Sequence, residues 1–578
     1  MTAADWIVLV GSLVGIIAYG LYKSRTTHNL EGYFLSNRSL PWGLVLLSIV
    51  GTQASAITFL SAPGQAYTDG MRFVQYYFGQ PLAMVVICVA FVPMFSRLKV
   101  YTAYEYLEKR FDGKTRTLTS LLFLLQRGLS TGISVFAPSI ILSSLLGWNI
   151  YWTNLFMGGL LIIYTMSGGA RAVAYTQQLQ MIIIFAGMFL AGWMVVHKLP
   201  AGVGFTDALH LSGKLGKLNV ITTGLDRRGF NWSDQYNLLS GLIGGFFLAL
   251  SYFGADQSQV GRYLTARSER ESRIGLLMNG LVKVPMQFLI LLIGTLVFSF
   301  YQFNQAPVFF NQTQVEKIER SPLADSFRMA SQNYARIGTQ KRQVVQSFAR
   351  ALHQGDEQRL AATTDTLRQL QQGADSLRAR VRAWINSPQV GGDGNDTNYI
   401  FLRFVLDYLP SGLVGLLIAI IFLASWGSIA AAINALASCS MIDFHRRFSQ
   451  RPIAPRREYA LSKWYTLGWG LFCIVVAMFT YNIGNSLIEA VNILGSLFYG
   501  VILGVFLVAL FWKRIRSGTA VFWAALLGEL VVLLFFILSR TGVLPIGFLW
   551  LNPIGAFSVM GFSWILQHAF PPTKSPAG

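Results

Sequence analysis

Charged side chains set deep in apolar runs are the residues of this sequence with the clearest chemistry to offer. Lys283 stands about ten residues inside one run, and Arg127 sits as deep in another, within Leu124-Leu125-Gln126-Arg127-Gly128. A charge at the centre of a bilayer costs roughly 2.5 kcal/mol or more, so ionisable residues there mark binding or transport paths. The planar guanidinium of Arg127 suits a carboxylate, which it grips with two parallel N–H groups. The competing reading is an arginine that snorkels to the inner interface, since Arg116 begins the same run only about three turns earlier. Tyr252 and Phe253 precede Gly254 and are candidate gate aromatics, with plain packing as the alternative. Asp256 follows them, spaced about one and a half turns from Arg262 for a structural ion pair. Enzyme chemistry finds no support: the six histidines include no His-Glu-x-x-His spacing, and no nucleophile–base set emerges. Cys88, Cys439 and Cys473 lie in apolar runs without metal-like spacing and read as buried thiols.

The elements that position these residues must cross a membrane. Hydrophobic residues make up 53% of the 578 and charged residues only 12%, where a soluble domain carries roughly 25% charged. Mean hydropathy is +0.47. The apolar residues fall in blocks of about 20, enough to cross about 30 Å of hydrocarbon. Thirteen such runs begin near Trp6, Trp42, Phe73, Leu118, Tyr151, Tyr175, Leu238, Ile274, Tyr399, Ala460, Ser486, Thr519 and Leu544. The first lacks a small-residue cleavage site and is followed by Lys23 and Arg25, so residues 1–24 read as a retained helix with the N-terminus outside. The segments Lys23–Arg38, Arg97–Arg116, Arg262–Arg273, Arg446–Lys463 and Lys513–Arg516 then fall inside, and each is rich in Lys and Arg. The short outer connections near Gly147 and Asn482 carry almost none. This pattern fits a bacterial inner membrane with the C-terminus in the cytoplasm. The net charge of +20 therefore reads as topology. No basic stripe interleaved with aromatics supports nucleic acid as a partner; membrane lipid is the implied one.

One stretch does not belong in a bilayer. Residues 304–398 are polar and suggest two helices joined at Gln354-Gly355-Asp356. In the second, Leu360, Leu367, Leu370, Ala374, Leu377, Val381 and Trp384 form one apolar stripe, and Val345, Phe348 and Leu352 form its match on the first. An outer helical hairpin is expected. It is either an insertion that caps itself or a docking surface for a periplasmic partner.

Four segments carry a resemblance. They are Tyr101 to Phe111 (YTAYEYLEKRF), Ser167 to Gln180 (SGGARAVAYTQQLQ), Arg262 to Ser268 (RYLTARS) and Leu510 to Lys513 (LFWK). In this order they resemble the inner segments of the sodium:solute symporter family, over roughly residues 5 to 512 apart from the insertion. Thr52 to Thr58 (TQASAIT) is most similar to the iodide, multivitamin and monocarboxylate branch. The resemblance implies an all-α LeuT-type fold of two inverted five-helix repeats, the second to sixth and seventh to eleventh helices. The expected divisions are 1–24, 42–303, 304–398, 399–512 and 513–578, the last holding two further helices. The first helix of each repeat is expected to be broken, with Gly51 and with Gly244, Gly245 and Gly254 as breakers; unwound backbone must then face a cavity.

The resemblance also implies site residues. Sodium is expected on the carbonyls of Gly51, Ala54 and Ala424 and the hydroxyl of Ser428. Gly427 stands where the family usually has a second hydroxyl, a role left to water, solute or Ser425. Gln177 replaces the aspartate of a second sodium site, and Ala431 and Ala432 replace its serines, so one sodium is expected. Substrate positions fall on Gln53, Thr58, Tyr77, Gln80, Ala249, Lys283 and Asn492, with Arg127 added from its depth. Tyr77 and Ala249 replace an acid and an amide that contact sugar in relatives, which disfavours a hexose. The implied function is symport of a small polar or anionic organic solute by alternating access, with sodium as coupling ion rather than tightly bound cofactor. A transporter-like sensor signalling through the hairpin, or a proton-coupled or weakly coupled transporter, is the alternative.

Overall fold

Hydrocarbon offers no hydrogen bonds, so each apolar run must satisfy its own backbone by coiling into a helix. The computed structural model describes residues 1–24, 30–227, 229–449, 452–480 and 487–570. Arg25, residues 450 and 451 of a basic inner segment, the connection near Asn482 and the tail after Phe570 lie outside them. Among the described residues ten helices are long and apolar enough to cross a membrane, a bent pair makes up to eleven, and two shorter apolar helices stand where the remaining two of the thirteen runs were expected. In order these are α1 (Ala3–Ser24), the pair α2 (Trp42–Gln53) and α3 (Ala56–Asp69), α4 (Met71–Leu98), α5 (Gly113–Leu146), α6 (Ile150–Met166) and α7 (Gly169–His197). A surface helix, α8 (Phe205–Lys214), precedes α9 (Ser240–Gly254), α10 (Gln257–Tyr263) and α11 (Glu269–Phe303). The hairpin helices are α12 (Ala324–Gln354) and α13 (Glu357–Ile385). The short α14 (Thr397–Tyr408) leads to α15 (Leu413–Phe448), α16 (Pro455–Phe479), α17 (Leu487–Phe511), α18 (Gly518–Arg540) and α19 (Phe548–Ala569).

Burial sorts centre from periphery. The apolar window of α15 is 94% buried, against 22% for α1 and 33% for α16 and α18. The run Ala430-Ala431-Ala432 and neighbouring Gly and Ser let other helices approach α15 closely, which is how helices associate where lipid supplies no hydrophobic drive. Outward side chains such as Ile7, Phe189 and Phe479 are exposed where lipid would meet them.

Three local expectations are corrected. The second span does not break at Gly51, which stays helical; the chain leaves the helix at Ala54 and the extended Ser55, and the two halves bend by 59°. The seventh breaks at Ala255 and Asp256, just past Gly254. Gly244 and Gly245 serve close packing instead, since a Cβ there would lie 2.8 Å from the Leu549 oxygen and 2.6 Å from that of Tyr76. The run placed from Tyr399 is two helices: Pro410 and the left-handed Gly412 (φ +86°) separate α14 from α15.

The hairpin's stripe closes on itself. Val345 and Phe348 are buried with Leu367, Ala374 and Val381, the turn uses left-handed Gly355, and Asp356 caps α13 through the Arg359 amide at 3.0 Å. Its two ends meet: the Phe310 amide donates to Asp396 Oδ2 at 2.9 Å, and Arg378 and Arg382 donate to the same carboxylate at 2.9 Å. The far end rests on α8, where His353 Nε2 lies 3.0 Å from Asp207 Oδ1 and Arg368 donates to the Lys214 oxygen at 3.0 Å.

Candidate functional site

A cavity of about 130 Å³ opens where the second span breaks. Residues from α2, α3, α4, α5, α9, α15 and α17 line it, and it gathers Gln53, Thr58, Tyr77, Gln80, Ala249, Asn492, Ser428, Tyr252, Phe253 and Arg127. The sequence placed these residues one by one; the fold brings them within reach of one bound molecule.

The polar groups leave defined vacancies in hydrogen bonding. Gln53 Nε2 donates to Gln80 Oε1 at 3.2 Å, leaving Gln53 Oε1 and Gln80 Nε2 without partners among the described residues. Whichever way the two amides are turned, one bond joins them and one donor and one acceptor remain for a solute. Tyr76 donates to Asn492 Oδ1 at 3.1 Å, and Asn492 Nδ2 is unpartnered among the described residues.

Arg127 lines the cavity and is paired there. Its Nε donates to Asp256 Oδ2 at 3.0 Å, and its Nη2 reaches the same oxygen and the Tyr499 hydroxyl. Tyr499 in turn donates to Asp256 at 2.7 Å. The guanidinium carbon lies 5.2 Å from the Tyr252 ring centroid, so this candidate gate aromatic forms a cation–π floor beneath it. Asp256 thus pairs with Arg127 and not with Arg262, because the break turns it into the cap of a new helix, where Oδ1 accepts from the Ser258 amide at 2.7 Å. Lys283 is also placed differently from expectation. It does not line the cavity; its Nζ stacks 5.1 Å from the ring centroid of Tyr77, which does. It is fully buried, with no hydrogen-bond partner among the described residues.

Of the four expected ion ligands only Ser428 lines the cavity; Gly51 and Ala54 adjoin the lining residues Thr52, Gln53 and Ser55, and Ala424 is buried one turn before Ser428 on α15. The Ala54 amide bonds back to Val50 at 2.7 Å, but no backbone amide among the described residues bonds the Gly51 or Ala54 oxygens, because the helix ends there. Ser428 Oγ faces the cavity and donates to the Ser425 oxygen at 3.1 Å. The Ser425 hydroxyl is buried without a partner among the described residues and does not line the cavity. Gln177 has a role that its position in the motif did not reveal. It accepts from Ser48 at 2.7 Å and donates to Thr52 Oγ1 at 3.2 Å and the Gly427 oxygen at 3.0 Å, clipping α2 to α15. A Cβ at Gly51 would lie 3.1 Å from Gln177 Cγ, and one at Gly427 only 2.6 Å from Gln180 Oε1. Both glycines make room for this amide layer.

Other contributors were missed. Gln126, Ser130 and Ser134 line the cavity from one face of α5; their spacing of four in an apolar helix is a polar stripe that periodicity alone would have revealed. The motif from Tyr101 holds the second broken span: Tyr104 donates to the Ala255 oxygen at 2.8 Å, and the Ala103 amide donates to Gln257 at 3.0 Å.

Comparison with known proteins places this geometry. The profile of the sodium:solute symporter family, a family of transporters, matches residues 33–319 and 376–528, and the gap falls inside the hairpin. The sodium/sialic acid symporter SiaT of Proteus mirabilis is 24% identical over 99% of this chain and 96% of its own. The human sodium/iodide cotransporter is 32% identical over 43% of this chain and 38% of its own. The rabbit (Oryctolagus cuniculus) sodium-dependent multivitamin transporter is 26% identical over 88% of this chain and 66% of its own. A solved substrate-bound, outward-open sodium-coupled sialic acid symporter superposes with a TM-score of 0.75 at 22% identity, covering 99% of both chains, which establishes the fold. With its profile spanning both broken helices and the cavity between them, this chain belongs to the sodium:solute symporter family, polytopic membrane proteins that couple solute movement to sodium.

Proposed function

We propose that the chain imports a small organic anion of the monocarboxylate kind together with one sodium ion. The observation that carries this reading is the cavity itself. The free carbonyl end of α2 and the Ser428 hydroxyl border the same space as the unpaired amide groups of Gln53, Gln80 and Asn492. Sodium held by the Gly51, Ala54 and Ala424 carbonyls and Ser428 would bring one positive charge to the cavity's edge. A carboxylate beside it makes a neutral pair, which lowers the cost of burying either charge. Arg127 is already neutralised by Asp256 and acts as a wall that orients Tyr252. Lys283 supports Tyr77 from behind.

Size supports a small solute, since about 130 Å³ is well below the roughly 300 Å³ at which drug-sized pockets begin. Relatives named for iodide, monocarboxylate and sialic acid all carry anions. At the position where the family's second site has an aspartate, Gln177 presents an uncharged amide whose N–H groups are given to Thr52 Oγ1 and the Gly427 oxygen, which supports one sodium. The orientation we favour puts the N-terminus and hairpin outside and the basic segments and C-terminus in the cytoplasm of a bacterial inner membrane. The hairpin's stripe is already buried against itself, so we assign it no separate partner.

Uptake by proteoliposomes under a sodium gradient, with choline as replacement, tests the reading. Lactate, iodide and sialic acid serve as probes. Sodium-driven lactate uptake is expected. Sialic acid uptake without lactate uptake would replace the solute class, and solute binding without sodium-driven flux of any probe would overturn the transport reading for this chain.

A further inference from the structure

The base of the hairpin encloses a second polar cavity, which shares no lining residue with the first. Its volume is about 20 Å³, room for one water-sized particle or a little more. Hairpin and membrane core share its wall: Tyr334 and Lys341 come from α12, Arg378 from α13, Tyr67 from α3 and Tyr301 from α11. All five bring hydrogen-bond donors. Lys341 and Arg378 are each only 7% exposed. Lys341 Nζ donates to Gln371 Oε1 at 2.6 Å. Arg378 gives Nη2 to Asp396 and lies against the Tyr334 hydroxyl, while its Nη1 has no hydrogen-bond partner among the described residues. Tyr301 is 4% exposed, and its hydroxyl likewise has none. The acid on the wall, Asp375, is exposed and accepts from Gln371 Nε2 at 2.9 Å.

Buried donors without acceptors are rare and call for a ligand that accepts. Two cations repel a metal ion, and with the unpartnered Tyr301 hydroxyl on the same wall they suit an anion. So small a volume favours a monoatomic anion over sulfate, phosphate or a carboxylate. We propose that this cavity binds a monoatomic anion of the chloride class, held by Tyr301 Oη, Lys341 Nζ and Arg378 Nη1. Tyr67 belongs to the outer half of the broken second span and packs edge-on to Tyr301, centroids 6.1 Å apart. The anion therefore fastens the hairpin to a helix that borders the transport cavity, and its occupancy favours the docked hairpin and this position of α3.

Thermal unfolding of the purified full-length protein tests the site without reference to any solute. Sodium chloride is exchanged for sodium gluconate at constant ionic strength. The midpoint is expected to rise with the logarithm of chloride concentration once chloride exceeds the dissociation constant, with bromide able to replace it and sulfate unable. Tyr301→Phe keeps the ring and removes one donor; it should raise half-saturating chloride about tenfold. Lys341→Met should abolish the response. Equal midpoints in chloride and gluconate would overturn the proposal. So would an identical chloride response in wild type and Tyr301→Phe, a comparison that stands even if Lys341→Met fails to fold.

Discussion

Gln177→Met tests how the proposed sodium ligands are held. The methionine nearly fills the same volume but cannot bond Ser48, Thr52 or the Gly427 oxygen, which the amide joins at 2.7, 3.2 and 3.0 Å. An interhelical side-chain hydrogen bond in a membrane protein averages about 0.6 kcal/mol, so three sum to about 2 kcal/mol. If sodium must reassemble α2 against α15 on binding, that energy is taken from its affinity, where 1.4 kcal/mol is tenfold. Half-saturating sodium is therefore expected to rise roughly 5- to 20-fold. Sodium-dependent thermal stabilisation with choline as replacement measures this without a known solute, because a ligand of the folded state at free concentration c raises its stability by RT ln(1 + c/Kd). A folded variant whose half-saturating sodium stays within about twofold of wild type would refute the idea that the clip organises the site.

Ser428→Ala removes the one proposed side-chain ligand; the sodium requirement of uptake should rise severalfold, and unchanged sodium dependence would remove Ser428 from the site. Neutralising either member of the Arg127–Asp256 pair alone leaves a buried charge, at a cost of about 3–5 kcal/mol. Arg127→Met with Asp256→Asn together should unfold at a higher temperature than either single variant, and additive losses would show that the pair is not coupled. At the hairpin base, burial pushes the Lys341 ammonium from 10.5 down to about 8, with Arg378 and Lys217 pushing the same way and Asp375 opposing. Its folded value is the lower one, so the stability it contributes above pH 10.5 is lost as pH falls through about 8, by at most about 3 kcal/mol. In gluconate, wild type should therefore gain stability relative to Lys341→Met between pH 8 and 10.5, and parallel profiles would contradict it.

Spans were legible because length and apolarity are properties of contiguous residues, and lipid enforces them one helix at a time. Interruptions were less so. The switch at Ala54 and Ser55 involves residues with no special backbone preference, whereas Gly51 next to it is present for the approach of Gln177. Pairings across a break were the least legible. Asp256 and Arg262 have a plausible spacing only if one helix runs through both, and the break at Ala255 re-aims the acid at Arg127, 129 residues earlier in the chain. Lys283 illustrates a related limit: it is fully buried, but which side of the Tyr77 ring it occupies depends on how α11 is rotated against α4.

The meeting of the hairpin's two ends at Asp396 has an evolutionary meaning. A segment that leaves and re-enters a scaffold at one point can be gained, lost or exchanged without moving the helices on either side. Such an appendage evolves as a unit, free to diverge in length and charge while the transport core beneath it is held to the geometry of its breaks.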